Sequence, residues 1–151
     1  MIYMQIYSDQ VQVFRLIMVI IPNVKLTRKF QNSDKHSDNI LFVSDDRVRF
    51  IDFEYTSVYY NFYELACFVA EFTGIECNLH YQASDTEKVK ILTECFGDFE
   101  DQDLILLKQF EIICFGVWAV WGHQMGYEKY SQNRKMKFME LIFEFTENLK
   151  N

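Results

Sequence analysis

The chain has 151 residues, half of them hydrophobic, with five glycines and one proline. That length holds one domain with a real core and excludes two ordinary ones, and the composition excludes a disordered chain. A net charge of −7 argues against a nucleic-acid partner, because a phosphate backbone demands clustered lysine and arginine, whereas a cationic ligand is compatible with it.

In chain order, residues 1–30 read as an N-terminal segment, remnant or linker, ahead of a domain over 31–151. The apolar run "VQVFRLIMVII" (Val11 to Ile21) has mixed periodicity and ends at Pro22. It carries Arg15, is too short to span a bilayer, and no small-residue cleavage site follows it. Lys25, Arg28 and Lys29 read as a solvated linker.

Residues 40–43 and 48–52 are expected as strands from their β-branched and aromatic content, with "SDDR" as the tight turn between them. In "NFYELACFVAEFTG", Phe62, Leu65, Ala66 and Val69 keep helical spacing, and Gly74 is the expected stop. "SDTEKVKILTECFG" begins with a capping-box pattern at Ser84 and Glu87 and ends at Gly97. "DQDLILLKQFEIICFGVWAVWG" predicts a long helix buried on most sides. A last helix is expected over 131–149, with Phe138, Leu141, Ile142, Phe145 and Leu149 along one stripe. The fold class is α+β and mostly helical: a small hairpin followed by about four helices.

The four cysteines, Cys67, Cys77, Cys95 and Cys114, form no CxxC pair, which argues against zinc. Each sits in or beside an apolar segment, so buried, reduced thiols in a cytoplasmic protein are expected.

The stretch "NSDKHSDNILFVSDDRVRFIDFEY" (Asn32 to Tyr55) concentrates oxygen-bearing side chains. A hairpin brings the loop before its first strand next to the end of its second. Asp34, Asn39 and Asp52 would then share one small volume. Two readings are open on spacing alone. Asp and Asn are ordinary turn residues of a solvated hairpin. The same set also suits phosphoryl transfer, in which one Asp takes the hydroxyl proton while an Asn and a second Asp hold Mg²⁺. Likewise, Trp118 and Trp121 share a helix face, either as part of a core stripe with Phe115, Gly122 and Met125 or as a pocket wall.

The wider sequence resembles the choline and ethanolamine kinase family, whose fold is protein-kinase-like. Members carry an "HND….N" loop followed by "IDFEY"; "NSDKHSDN" stands in the place of the first and "FIDFEY" matches the second. "YTSVYYNFYELACFVAEF" looks like the family's aromatic-rich turn leading into a helix, "WAVW" like its W-x-x-W pair, and "MGYEKY" like its "FGYxxY" element. The similarity covers about residues 30–147, the family's C-terminal lobe. It implies ATP-dependent phosphorylation of choline or ethanolamine, the first step of phosphatidylcholine or phosphatidylethanolamine synthesis, with Mg²⁺ as cofactor. By that resemblance Asp34 is the catalytic base, Asn39 and Asp52 are Mg²⁺ ligands, and Glu54 supports the metal site. Tyr55, Trp118, Trp121 and Tyr130 would form an aromatic cage for the ammonium group, with Glu71 as counter-charge.

Four positions depart from the family pattern. Asn32 replaces a histidine, Glu64 an aspartate and Asn61 an arginine, and Glu76 stands where a pocket tyrosine is expected. His36 reads as an exposed loop histidine. Residues 1–30 contain no GxGxxG and no room for a five-stranded ATP-binding lobe, so a truncated lobe is expected. The competing reading is an inactive relative that binds ligands or partners. No transmembrane segment is expected. The apolar segment before Pro22 offers a partner surface, and a homodimer is one assembly it allows.

Overall fold

The computed structural model describes residues 28–148. The readings at Val11 to Ile21, Pro22, Lys25 and Leu149 lie outside the described residues.

Strand β1 (Arg28–Asn32) leads into a loop that closes with a 3-10 turn, Ser37–Asn39. Strands β2 (Ile40–Ser44) and β3 (Arg47–Phe50) form an antiparallel hairpin, with Ile40 opposite Phe50, Phe42 opposite Val48 and an irregularity between Phe42 and Ser44. The chain then returns as β4 (Thr56–Tyr60), antiparallel to β1 with Arg28 opposite Tyr60 and Asn32 opposite Thr56. One hairpin is thus nested inside another.

Three expectations change here. The second strand of the inner hairpin stops at Phe50, so Asp52 does not end a strand; it follows in a left-handed conformation at φ 57°. Residues 56–60, expected within an aromatic-rich turn, are a strand. Arg28 and Lys29, expected in a linker, lie on β1. Arg28 donates to Tyr60 Oη at 3.2 Å, and its guanidinium lies over the Tyr60 ring. Local sequence hid the outer pair because its partners are about thirty positions apart.

Four helices follow: α1 (Tyr63–Ala70), α2 (Asp85–Phe96), α3 (Asp101–Gln124) and α4 (Glu128–Asn148). Helix α1 tightens into a 3-10 turn, Glu71–Thr73, and Gly74 ends it at φ 64°. Its buried face is Tyr63, Ala66, Cys67, Val69 and Ala70, whereas Leu65, expected in the stripe, is only partly buried. The expected capping box opens α2: Glu87 N–H donates to Ser84 Oγ, and Glu87 Oε2 accepts from Ser84 N–H at 2.7 Å. Gly97 ends that helix.

Helix α3 is the axis of the core, contacting α1, α2 and α4. Leu107, Cys114 and Phe115 have no exposure, and Phe138 of α4 packs beside them. Gly116 and Gly122 let α4 approach. A methyl group at Gly116 would meet the Phe138 ring at 2.9 Å, and one at Gly122 would meet Tyr130 Cδ1 at 2.5 Å. Helix α3 is long and apolar enough to cross a membrane, but 67% of its apolar window is buried inside the protein.

The cysteines differ from one another. Cys67 and Cys114 are buried, with Cys114 Sγ donating to Cys67 Sγ at 3.0 Å across α1 and α3, and all four are free thiols. Cys77 is only partly buried and Cys95 is exposed, which corrects the expectation of uniform burial. Cys95 lies near the end of α2, where the helix turns its face to solvent.

Candidate functional site

The loop between β1 and β2 is held by a compact hydrogen-bond network. Asn39, buried at the end of the 3-10 turn, donates through Nδ2 to Asp34 O at 3.0 Å and to Asp34 Oδ2 at 3.1 Å. Asn32 is the hub. Its Oδ1 accepts from Asp34 N–H at 3.1 Å, and its Nδ2 donates to Asp52 O at 3.3 Å. Its own N–H donates to Glu64 Oε1 at 3.1 Å, and Lys35 pairs with the same Glu64 oxygen at 2.6 Å. The outer strand pair therefore brings the start of the loop to the segment after the inner hairpin. That is how Asp34 and Asp52, eighteen positions apart in sequence, become neighbours.

Burial raises the Asp34 carboxyl above its ordinary value; His36 opposes the shift, Asp52 adds to it, the Asn39 hydrogen bond opposes it and Glu54 adds to it. His36 Nε2 stands 3.9 Å from Asp34 Oδ2. This histidine is half-buried and faces the site, where an exposed loop residue was expected. Glu54 N–H donates to Asp52 Oδ1 at 3.5 Å, and both carboxylates face solvent.

The opposite wall is aromatic. Trp121 Nε1 donates to Tyr55 Oη at 2.9 Å. The Trp118 and Trp121 rings stand edge to face at 5.3 Å, and Tyr55 meets them at 5.5 Å and 6.3 Å. Tyr130 and Tyr127 lie 5.9 Å and 5.7 Å from Trp121. Trp118, 7% exposed, belongs both to the core and to this wall, so the two readings of the tryptophan stripe coexist. Met125, by contrast, is exposed.

A cleft of about 830 Å³ joins the two halves. It is lined by Asp34, Asp52, Glu54, Tyr55, Glu71, Trp118, Trp121 and Tyr130, together with Asp38, Tyr127, Glu76, Glu128 and Lys129. Asn39 is not on its wall and is held behind Asp34. Seven carboxylate side chains line the cleft against one lysine, so it favours cations. The Glu71 carboxylate accepts from Arg134 Nη2 at 2.9 Å. Burial raises its pKa, and the guanidinium opposes that shift.

Among the described residues, no three His, Cys, Asp or Glu side chains converge as a metal cage. The donor chemistry nonetheless fits Mg²⁺, which keeps waters and phosphate oxygens and takes only one or two carboxylates from a protein. Asp52 and Glu54 offer hard oxygens on the cleft wall. Both Asn39 side-chain bonds leave from Nδ2, so Oδ1 takes no part in the contact with Asp34.

The chain is similar in structure to an ethanolamine kinase. The solved structure of Plasmodium vivax ethanolamine kinase matches with a TM-score of 0.73 at 20% identity, over 88% of this chain. The chain spans 38% of the length of that protein. No family model matches the chain, and no curated protein matches it. At that identity the likeness establishes the kinase-like fold.

The cleft wall thus carries all the expected site residues except Asn39. Sequence reading missed Tyr127, Arg134 and the linking role of Asn32. Tyr127 lies inside "MGYEKY", and Arg134 stands four positions after Tyr130, on the same helix face. Asn32 was read as a loss of the family histidine, yet it ties both site aspartates together. The departure at Glu64 likewise becomes an anchor for Asn32 and Lys35. Glu76 pairs with Lys129 at 2.6 Å on the rim, and Asn133 donates to its carbonyl.

Proposed function

We propose that the chain is the catalytic lobe of an ATP-dependent kinase acting on a small amino alcohol, choline or ethanolamine. The observation that carries this reading is one cleft lined by both the Asp34 and Asp52 carboxylates and an aromatic cluster of Tyr55, Trp118, Trp121 and Tyr130. The likeness to an ethanolamine kinase supports it. An ammonium group is attracted to the faces of Trp and Tyr, and the surrounding carboxylates complement its charge.

In this reading the alcohol oxygen bonds to the γ-phosphorus of ATP, ADP leaves, and the hydroxyl proton passes to Asp34. Burial of Asp34 suits that role, because a carboxylate with a raised pKa is a stronger base. Asp52 and Asn39, supported by Glu54, would hold Mg²⁺, which neutralises phosphate charge when bound. Tyr55, Trp118, Trp121 and Tyr130 orient the ammonium end, and Glu71 adds negative charge. The four free cysteines suit a reducing, cytoplasmic compartment.

The test is to incubate the purified chain with Mg²⁺-ATP and each amino alcohol and to measure phosphorylated product. Product that disappears in Asp34→Ala is the expected result. If neither turnover nor Mg²⁺-ATP binding occurs, this chain is not itself a kinase, and the alternative of a binding module without catalysis takes its place. Tryptophan fluorescence titrated with choline and ethanolamine then decides whether the cage binds cations. Trp118→Ala is expected to weaken choline binding by about 1–2 kcal/mol. Self-association is a separate expectation, and a monomeric mass by light scattering across a concentration series removes it.

A further inference from the structure

Arg134 does not line the cleft, and its side chain has no solvent exposure. It reaches the cleft through other groups. Its Nη2 donates to Glu71 Oε1 at 2.9 Å and to Gly74 O at 3.3 Å, where the chain turns after α1. Its guanidinium lies over the Tyr130 ring at 5.0 Å and the Phe115 ring at 5.3 Å. Its Nε and Nη1 are buried and have no acceptor among the described residues. A guanidinium left this short of hydrogen bonds is a costly group to bury. The partner that offsets the cost is Glu71, a carboxylate on the cleft wall.

We propose that Arg134 is a positioning residue for the ammonium end of the cleft, acting through Glu71. The inference rests on the cation-binding reading of the cleft. Arg134 fixes one oxygen of Glu71, favours the charged form of that buried carboxylate, and leaves the second oxygen for the ligand. A lysine would supply the charge without the planar guanidinium that stacks on the Tyr130 and Phe115 rings.

The test measures binding by tryptophan fluorescence, with two probes on the full chain. Choline carries the cation, and 3,3-dimethylbutan-1-ol has the same shape without charge. Arg134→Met is expected to lower choline affinity by about tenfold while leaving the uncharged probe unchanged, because only the cation depends on the Glu71 charge. Arg134→Lys should recover part of the choline affinity. In a Glu71→Gln background, Arg134→Met should have no further effect on either probe. That double variant also buries no unpaired charge, so it remains informative if Arg134→Met alone does not fold.

Equal losses for both probes, or an undiminished Arg134→Met effect in the Glu71→Gln background, would make Arg134 a purely structural residue and overturn the proposal. Unchanged choline binding in folded Arg134→Met overturns it as well. A wild-type chain that binds neither probe overturns the cation-site reading first, and the proposal with it.

Discussion

Asp34 is held in an environment that disfavours its charge. Its carboxyl is raised by burial, with His36 opposing and Asp52 and Glu54 adding to the shift. A carboxylate whose folded pKa is raised contributes stability below its unfolded pKa, and that contribution is lost as pH rises through the folded value. Asp34→Asn removes that penalty. The expected outcome is a higher melting temperature at pH 7, with the gain shrinking as pH falls through the raised folded value and gone below the ordinary carboxylate value of 3.8. Thermal unfolding at several pH values checks it, and an equal gain at every pH would contradict the burial argument. Asn32 makes the opposite case. Asn32→Ala removes the bonds to Asp34 N–H and Asp52 O, at a cost of about 1–3 kcal/mol. Chemical denaturation measures that cost, and a loss of cation or Mg²⁺-ATP binding should accompany it.

At the level of elements, the cage depends on how closely α4 approaches α3. Two glycines on α3 permit that approach, and Ser131 Oγ donates to Ala119 O at 2.7 Å to hold it. Alanine in a helix gains about 1 kcal/mol over glycine, whereas overpacking costs about 1–3 kcal/mol. At Gly116 the neighbour is the Phe138 ring, 2% exposed, which has nowhere to move. At Gly122 the neighbours are the Tyr130 ring and the Ser131 backbone. Both Gly→Ala variants are therefore expected to destabilise, by up to about 2 kcal/mol net. Only Gly122→Ala should also alter tryptophan fluorescence, because it displaces Tyr130 from Trp121. An unchanged spectrum with full stability would show that the ring adapts freely.

For the molecule as a whole, a buried ion pair outside the cleft lining joins α2 to α3. Lys88 Nζ pairs with Glu111 Oε2 at 2.5 Å, with side chains only 3% and 2% exposed, and Glu111 Oε1 has no partner among the described residues. Lys88→Met leaves a buried, unpaired carboxylate and is expected to cost about 3–5 kcal/mol. Lys88→Met with Glu111→Leu should recover most of it, because two apolar side chains need no partners. Urea unfolding of the single and double variants measures the difference. The net charge of −7 gives a further expectation at this scale. Attraction of a cation to the acidic cleft is screened by salt, so choline affinity should fall as ionic strength rises toward 0.15 M, where the screening length is about 8 Å.

The helices were legible from the chain because their signals are local. The capping box at Ser84 and Glu87, the glycines at 74 and 97 and the apolar length of α3 all act within a few turns. The inner hairpin was legible for the same reason, through its β-branched residues and the turn between them. Strands β1 and β4 were not, since neither has a partner within reach of its own neighbours. The same limit governs the cleft. The residue types at Asp34, Asp52, Trp118 and Trp121 stood in the sequence. Their meeting in one cavity depends on a strand pair and on a helix crossing that glycine alone permits. Whether a polar residue is a loss or a substitute was likewise decided in three dimensions. Asn32 looked like a missing histidine, and Glu71 was read as a counter-charge with no partner of its own named. Folding gave the first two aspartates to connect and gave the second an arginine, because buried polar groups must find partners wherever the chain brings them together.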